Sequence, residues 1–442
     1  MAKVVVVGGG IAGMATAARL AKLGHQVTLL ESDPSLGGAL KPISAAGREW
    51  DVVHAIGLPG VLRDLFRKSG RPMEREVDFV RTDVIREHVF TAALAPTRRG
   101  RRAGTPMPSV VIDTGRAAQT RAIERLGVGL GTRWVAWVNS FADEWEQLRR
   151  HRFEAHDPDW DPRHLGRGSL ARRAATLKDP RLIRMATHPW ILAGHDPNRV
   201  PGWAGMISYL EMTFGTWQVP GGTRDLIDAL DRRLATRRVT VRTGVRVEDL
   251  VVAGGRVKGV ETAVGPVPAE VVVVACDPRS LPSLDTAATP SRPAYGPGLT
   301  LLALDHAAPE VGHEMVFAGE PTIVVRPSVT DPRAWTVLTG GRSDQDVLVA
   351  LARRPWLGPD GSIRHLDVRS HVVARTDLSA TDQTARWHGN PLGVAWTGGG
   401  NRLGPTTPIA GVYAGGAWST GGLDLPFAAL TASVVAGLVG PA

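Results

Sequence analysis

The stretch from Val4 to Gly38, VVVVGGGIAGMATAARLAKLGHQVTLLESDPSLGG, decides the fold. Its opening run, Val4 to Val7, predicts a buried strand. Gly8-Gly9-Gly10-Ile11-Ala12-Gly13 predicts a turn into a small-residue helix that carries Ala17 and Leu20. Gly24 ends that helix, and a second strand through Val27 ends at Glu31. Each position has a physical reason. Gly8 turns the chain sharply, Gly10 lets backbone approach a pyrophosphate, and Gly13 lets the helix lie close on the strand. The helix N-terminus then presents free N–H groups and a positive dipole end to phosphate. Glu31, closing the second strand, is placed to accept hydrogen bonds from an adenosine ribose, with Ser32 beside it. A nicotinamide enzyme shares everything up to Glu31, but the Gly37-Gly38 pair and two later segments favour FAD.

Composition narrows the class. The chain has 442 residues, 43% hydrophobic and 21% charged, which suits two domains with sizeable cores and excludes a disordered chain. Cys276 is the single cysteine, so disulfides within the chain and cysteine-based zinc or iron–sulfur sites are excluded. Lying in the run Val271 to Cys276, it reads as a buried strand residue in a reducing, cytoplasmic setting. No secretory leader is expected before the first strand. The apolar tail from Leu425 contains Pro426 and several glycines, and reads as a buried helix rather than a membrane span. The formal charge of +9 is densest at Arg98-Arg99-Gly100-Arg101-Arg102. No nucleic-acid module surrounds that run. It reads as a solvated loop, with transient attraction to an anionic membrane surface as the alternative. His151 and His156 near Asp157, Asp159 and Asp161 are scattered around Pro158 and Pro162, a polar loop and not a metal site.

The pattern along the chain predicts an α/β protein with an interrupted, Rossmann-like nucleotide domain of the glutathione reductase βαβ type. Residues 1–75 form its first part, 76–205 a largely helical insert, and 206–288 a return to the nucleotide domain. Residues 289–388 form an antiparallel sheet that floors a substrate site, and 389–442 complete the nucleotide domain. Helices are expected over Ala136 to Arg150 and Gly168 to Ala186. Strands are expected at Val245 to Leu250 and Val257 to Thr262, joined through Gly254-Gly255, and at Leu299 to Leu304, Thr322 to Arg326, Trp335 to Thr339 and Val412 to Gly416.

With these residues in view, the chain resembles the phytoene desaturase family of FAD-dependent carotenoid and related oxidoreductases, within the wider amine oxidase-like group. The resemblance rests on the N-terminal unit through Gly38, on Gly215-Thr216-Trp217-Gln218-Val219-Pro220-Gly221-Gly222, and on the closing run from Tyr413 to Pro426. It implies that backbone near Val247 meets the adenine side and that Gly416-Ala417 meets the pyrophosphate and ribityl region. It also implies that the last helix, through Leu425, Phe427 and Ala428, meets the pyrimidine edge of the flavin. Pro426 suits a first helical turn, and exposed N–H groups there favour negative charge on reduced flavin. Two features depart from the family. Ala39 follows the glycine pair where Arg or Lys is usual, Lys41 being the nearest cation. After Asp51, a Gly-Pro-Ser/Thr-like turn is replaced by Val52-Val53-His54-Ala55-Ile56-Gly57.

His54 is therefore a candidate base or flavin contact, and Tyr209 and Trp217 are candidates on the substrate side, with Glu211 a further polar contact. Thirteen tryptophans, Trp190, Trp203 and Trp217 among them, suit core packing or an apolar tunnel. The expected reaction is dehydrogenation or desaturation, with hydride passing from an apolar substrate to flavin N5. No second dinucleotide unit is evident, so oxygen or a quinone is the expected acceptor. The expected assembly is a monomer or homodimer. The alternatives are amine oxidation, disfavoured by the few lysines (Lys3, Lys22, Lys41, Lys68, Lys178, Lys258), a redox-neutral isomerase, and a non-catalytic flavoprotein.

Overall fold

The computed structural model describes residues 1–53, 55–90, 109–155, 157, 160, 162–288, 297–340, 346–357, 363–365, 367–387, 403–419 and 425–442. The strand Lys3–Val7 lies at the centre of a five-stranded sheet. Its neighbours Val271–Val274 and Gln26–Leu30 are both parallel to it, and Val412–Ala414 and Thr240–Arg242 extend the sheet outward, also in parallel. A strand covered on both faces buries every side chain, which is why Val4 to Val7 form an unbroken apolar run. The helix Ile11–Lys22 covers one face, packed against the last helix, Leu425–Val439. Ala15, Ala17 and Ala18 are fully buried, and small side chains let these elements approach closely. The hairpin of Val247–Ala253 and Arg256–Thr262 turns at Gly254 and Gly255, both with positive φ, and packs on the opposite face.

A second, seven-stranded sheet forms the other half. Its order is Val372–Leu378, Gly298–Leu304, Ala334–Gly340, Thr322–Pro327, Met315–Ala318, Val84–Phe90 and Ser109–Asp113. The strands within 289–388 pair antiparallel, as expected, and the sheet becomes mixed only where Met315–Ala318 runs parallel to Val84–Phe90. Val84–Phe90 and Ser109–Asp113 come from the stretch read as largely helical, and they complete the sheet at its edge. The signal was obscured because Arg86, Glu87 and His88 interrupt the apolar alternation of Val84–Phe90, yet Glu87 and His88 are themselves buried.

Both long helices expected in the insert are broken. The first divides into Leu130–Asn139 and Ala142–Leu148, where the Ser140 hydroxyl donates back to the Trp137 carbonyl at 2.7 Å. The second divides at Lys178, which adopts a left-handed conformation. Asp179 then caps the helix Pro180–Leu192 by accepting from the Arg181 amide at 2.9 Å, and Pro180 occupies its first turn. Trp190 and Trp203 are core residues, 4% and 5% exposed. Cys276 lies just past the strand Val271–Val274 and is half-buried, with burial pushing its thiol up to about 12. No described helix is long and apolar enough to cross a membrane. The run Arg98 to Arg102 lies outside the described residues, as do His156, Asp159 and Asp161. His151 stacks on Trp160 at 5.3 Å, and no metal-binding group of side chains assembles among the described residues.

Candidate functional site

The turn after the first strand forms an open cradle. Gly8 has φ +102 and its amide donates to the Leu30 carbonyl at 2.8 Å, so the chain reverses directly over the second strand. A Cβ on Gly13 would stand 1.8 Å from the Gly8 carbonyl oxygen, which no side chain could tolerate. At Gly10 the space is open: a Cβ there would meet only the Gly38 Cα, at 4.0 Å. The helix Ile11–Lys22 has no side-chain cap and no acidic residue in its first turn. The amides of Ile11, Ala12 and Gly13 therefore lack the partners that a capping side chain would supply, and an anion would stabilise them. Gly37 bridges back to Gly10, its amide donating to the Gly9 carbonyl at 2.9 Å, and Gly38 and Ala39 continue into a short helical turn.

Glu31 is buried at the end of the second strand and organises one end of the cradle. Its carboxylate accepts from the Gly9 amide at 2.5 Å, the Asp33 amide at 2.8 Å and the Ser32 hydroxyl at 3.1 Å. The Glu31 carbonyl takes the Val245 amide at 2.8 Å, which brings the chain leading into buried Val247 alongside. Lys41, the nearest cation in sequence, is paired with Asp33. On the opposite side, Gly416, at φ +90, abuts the first helix: a Cβ there would lie 3.3 Å from that of Ala12. The Gly416 amide donates to the Thr431 hydroxyl of the last helix at 2.7 Å. Ala417 is half-buried beside it, Leu425 is half-buried at the start of that helix, and Phe427 and Ala428 are buried in its first turns. An open, uncapped helix start, a buried acid and two glycine segments fit the diphosphate and ribose of FAD. Residues 420–424 lie outside the described residues.

The segment after the cradle is tied down on both sides. The Asp51 carboxylate accepts from the Thr223 amide at 3.2 Å and lies 2.6 Å from the Thr223 hydroxyl, at the start of the helix Thr223–Thr236. The Asp51 carbonyl accepts from Thr336 at 3.2 Å, and Ile56 exchanges backbone hydrogen bonds with Trp217 at 2.8 and 2.9 Å. His54, between these anchors, lies outside the described residues. Trp217 is half-buried and fully engaged. Its indole donates to the Phe214 carbonyl at 3.0 Å, stacks on Phe79 at 5.2 Å, and carries the Arg63 guanidinium 4.3 Å from its ring. Tyr209 is half-buried against the main core, on the helix Met206–Phe214 that also carries Glu211.

A partly buried ionic stripe links the seven-stranded sheet to the Val52 backbone. Arg86 grips Glu211 with two hydrogen bonds, 2.6 and 2.9 Å, and donates to Glu314 at 2.9 Å. Glu314 takes Arg326 at 2.6 Å, and Arg326 reaches the Val52 carbonyl at 3.2 Å. Burial lowers the Arg86 pKa, but Glu211 and Glu314 outweigh it and leave the guanidinium above its ordinary range. His88 and His188 meet edge to face at 4.8 Å beside this stripe. Burial, the neighbouring His188 and Arg86 hold His88 well below the usual imidazole value, and burial with Arg86 lowers His188 to about 3. Both rings are therefore neutral near neutral pH. The sequence reading named Glu211 but missed its partners, because Arg86 lies 125 residues from Glu211 and 228 from Glu314 in the chain. The available signal was their position inside or beside apolar strand runs.

Comparison with known proteins agrees with this geometry. The chain is 26% identical to phytoene dehydrogenase of Streptomyces griseus, covering 89% of this chain and 85% of that one. It is 28% identical to all-trans-zeta-carotene desaturase of Myxococcus xanthus over 72% of this chain, and it spans 60% of that relative's length. An oxidoreductase from Methanosarcina mazei shares the fold, with a TM-score of 0.62 at 18% identity over 97% of this chain and 98% of that one. The sequence profile of the FAD dependent oxidoreductase family (DAO) matches residues 3–436, so the chain belongs to that family of FAD-dependent enzymes.

Proposed function

We propose that this protein is an FAD-dependent dehydrogenase or desaturase acting on an apolar, isoprenoid-type substrate. The observation that carries the reading is the junction of the open first-helix cradle with Gly416 and the last helix, 3.3 Å from Ala12 to a Cβ built at Gly416. In this reading Gly8, Gly10, Ile11, Ala12 and Gly13 hold the diphosphate and Glu31 with Ser32 holds the ribose. Val247 borders the adenine. Gly37, Gly38, Ala39, Gly416 and Ala417 line the path of the cofactor, and Leu425, Phe427 and Ala428 present the last helix to the flavin. FAD, when bound, supplies the hydride acceptor, and the protein supplies position and environment.

The segment from Asp51 to Ile56 borders the reacting region, anchored by Thr223, Thr336, Arg326 and Trp217. Arg326 fixes the Val52 backbone, and Glu314, itself paired with Arg86, holds Arg326 in turn. His54 and Tyr209 are the proposed proton-handling or orienting groups; Trp217 acts by packing and by its backbone pairing with Ile56. These relatives are named for zeta-carotene and phytoene, which supports a long hydrocarbon as substrate. Oxygen or a quinone would be the electron acceptor, and the protein works in water or at a membrane surface.

The test is anaerobic mixing of the purified flavoprotein with phytoene or zeta-carotene in detergent micelles. Bleaching of the flavin band, with appearance of a longer conjugated polyene, is the expected result. A protein that carries no flavin, or flavin that stays oxidised with both hydrocarbons, rejects the reading.

A further inference from the structure

We propose that Arg386 supplies the cation facing the cofactor's diphosphate, from the half of the molecule that does not form the cradle; this rests on the FAD reading above. The segment Gly37 to Pro42 is part of the cradle wall. Gly37 bridges Gly10, and a Cβ on Gly38 would lie 3.0 Å from the Gly10 Cα. A diphosphate placed there gains the dipole of the first helix, and a full positive charge beside it would strengthen binding further. Ala39 offers none. Lys41 is already paired with Asp33.

Arg386 reaches the same wall from the helix Ala380–Trp387, which follows the edge strand Val372–Leu378 of the seven-stranded sheet. One terminal nitrogen, Nη2, donates to the Pro42 carbonyl at 2.9 Å. Nε is buried with no hydrogen-bond partner. Burial lowers the pKa of this guanidinium, opposed by the charge of Asp33. The result is a half-buried cation with an unused donor, against Pro42 at the far end of the segment whose Gly37 and Gly38 close over Gly10. A guanidinium presents five donors in a planar fork, which matches phosphate oxygens, and an arriving diphosphate would satisfy both the charge and the idle Nε. The arrangement makes cofactor binding a contact between the two halves of the protein, since one half brings the cradle and the other the counter-charge.

The test measures binding of FAD, ADP and adenosine to the full-length protein stripped of flavin, in wild type, Arg386→Gln, Arg386→Lys and Arg375→Gln. Arg375 lies on the preceding strand, pairs with Asp346 and Asp377, and controls for net charge. Arg386→Gln should weaken FAD and ADP by about tenfold and leave adenosine unchanged, because only the diphosphate is lost as a partner. Arg386→Lys should recover part of the loss, Arg375→Gln should change nothing, and added salt should shrink the gap between wild type and Arg386→Gln. Equal weakening of ADP and adenosine, or no weakening of ADP, overturns the proposal while leaving the FAD reading intact. Wild-type protein that binds neither FAD nor ADP overturns both.

Discussion

The two halves of the molecule place their functional groups by different physics. The five-stranded half works with backbone: glycines, free amides and a helix dipole arranged within residues 4 to 38, with Gly416 and Thr431 closing the far side. The seven-stranded half works with side chains: Arg86, Glu211, Glu314 and Arg326 come from separate elements and meet only when the sheet and the helix Met206–Phe214 assemble. A backbone site tolerates almost no added atoms but is indifferent to most side-chain chemistry elsewhere. A buried ionic site tolerates changes of shape better than loss of a single partner, since a charge left alone in the interior is costly.

The largest effect should come from placing atoms in the backbone half. Gly13→Val sets a branched side chain where even a Cβ lies 1.8 Å from the Gly8 oxygen, so the first helix must move off the strand. Purified variant protein, if any folds, should carry no FAD by absorbance. A variant that retained near-stoichiometric flavin would break the contrast at its root.

Next in size, Arg86→Met should destabilise the fold by about 3 kcal/mol, because Glu211 would lose both of its hydrogen bonds to Arg86 while Glu314 would keep Arg326. Chemical denaturation of the flavin-free protein checks this. Adding Glu211→Gln to Arg86→Met should restore part of the loss. A single-variant change below about 1 kcal/mol would place the stripe in the class of weak surface pairs.

The histidine pair gives the third effect and its sign. In the folded protein both imidazoles are held neutral, His188 to about 3, whereas the unfolded chain takes up protons near the ordinary value of 6.5. Their contribution is fully present above that value and is lost as pH falls through it toward 3, since the unfolded state then binds more protons. At about pH 5 His188 should cost the fold about 2 kcal/mol relative to neutral pH, and His88 should act in the same direction. Denaturation midpoints measured across pH should show this slope, and His188→Phe should flatten it. An unchanged slope would assign the acid sensitivity elsewhere.

The smallest effect should be Trp217→Phe, which keeps the stacking on Phe79 but removes the indole bond to the Phe214 carbonyl. A loss of about 1 kcal/mol is expected, with substrate turnover little altered. A large fall in turnover at unchanged stability would instead give the indole a direct part in the reaction.

How far the sequence could be read follows the same division. The first strand, helix and second strand were legible because each step of that unit is local. The apolar run, the glycines at fixed offsets and the acid at the strand end lie within a short span, and each has one physical role. The hairpin at Gly254-Gly255 and the strands Gly298–Leu304, Thr322–Pro327 and Ala334–Gly340 were legible from alternation and turn residues. The strand Val84–Phe90 was not. Its charged residues look solvent-facing until Glu314 and Glu211 are brought to them, and its parallel pairing with Met315–Ala318 joins segments more than two hundred residues apart. The breaks at Ser140 and Lys178 were hidden for a smaller reason: one local hydrogen bond and one capping aspartate outweigh weak helix propensity.

By itself, then, the amino-acid sequence determined the nucleotide cradle, because a glycine's freedom and a helix's free amides are properties of a few consecutive residues. Only the tertiary structure decided which charges meet: the pairing of Arg86 with Glu211 and Glu314, the hold of Arg326 on Val52, and the approach of Arg386 to Pro42. Coulombic and hydrogen-bond partners in a low-dielectric interior are chosen by distance in space, and the folded chain alone sets that distance.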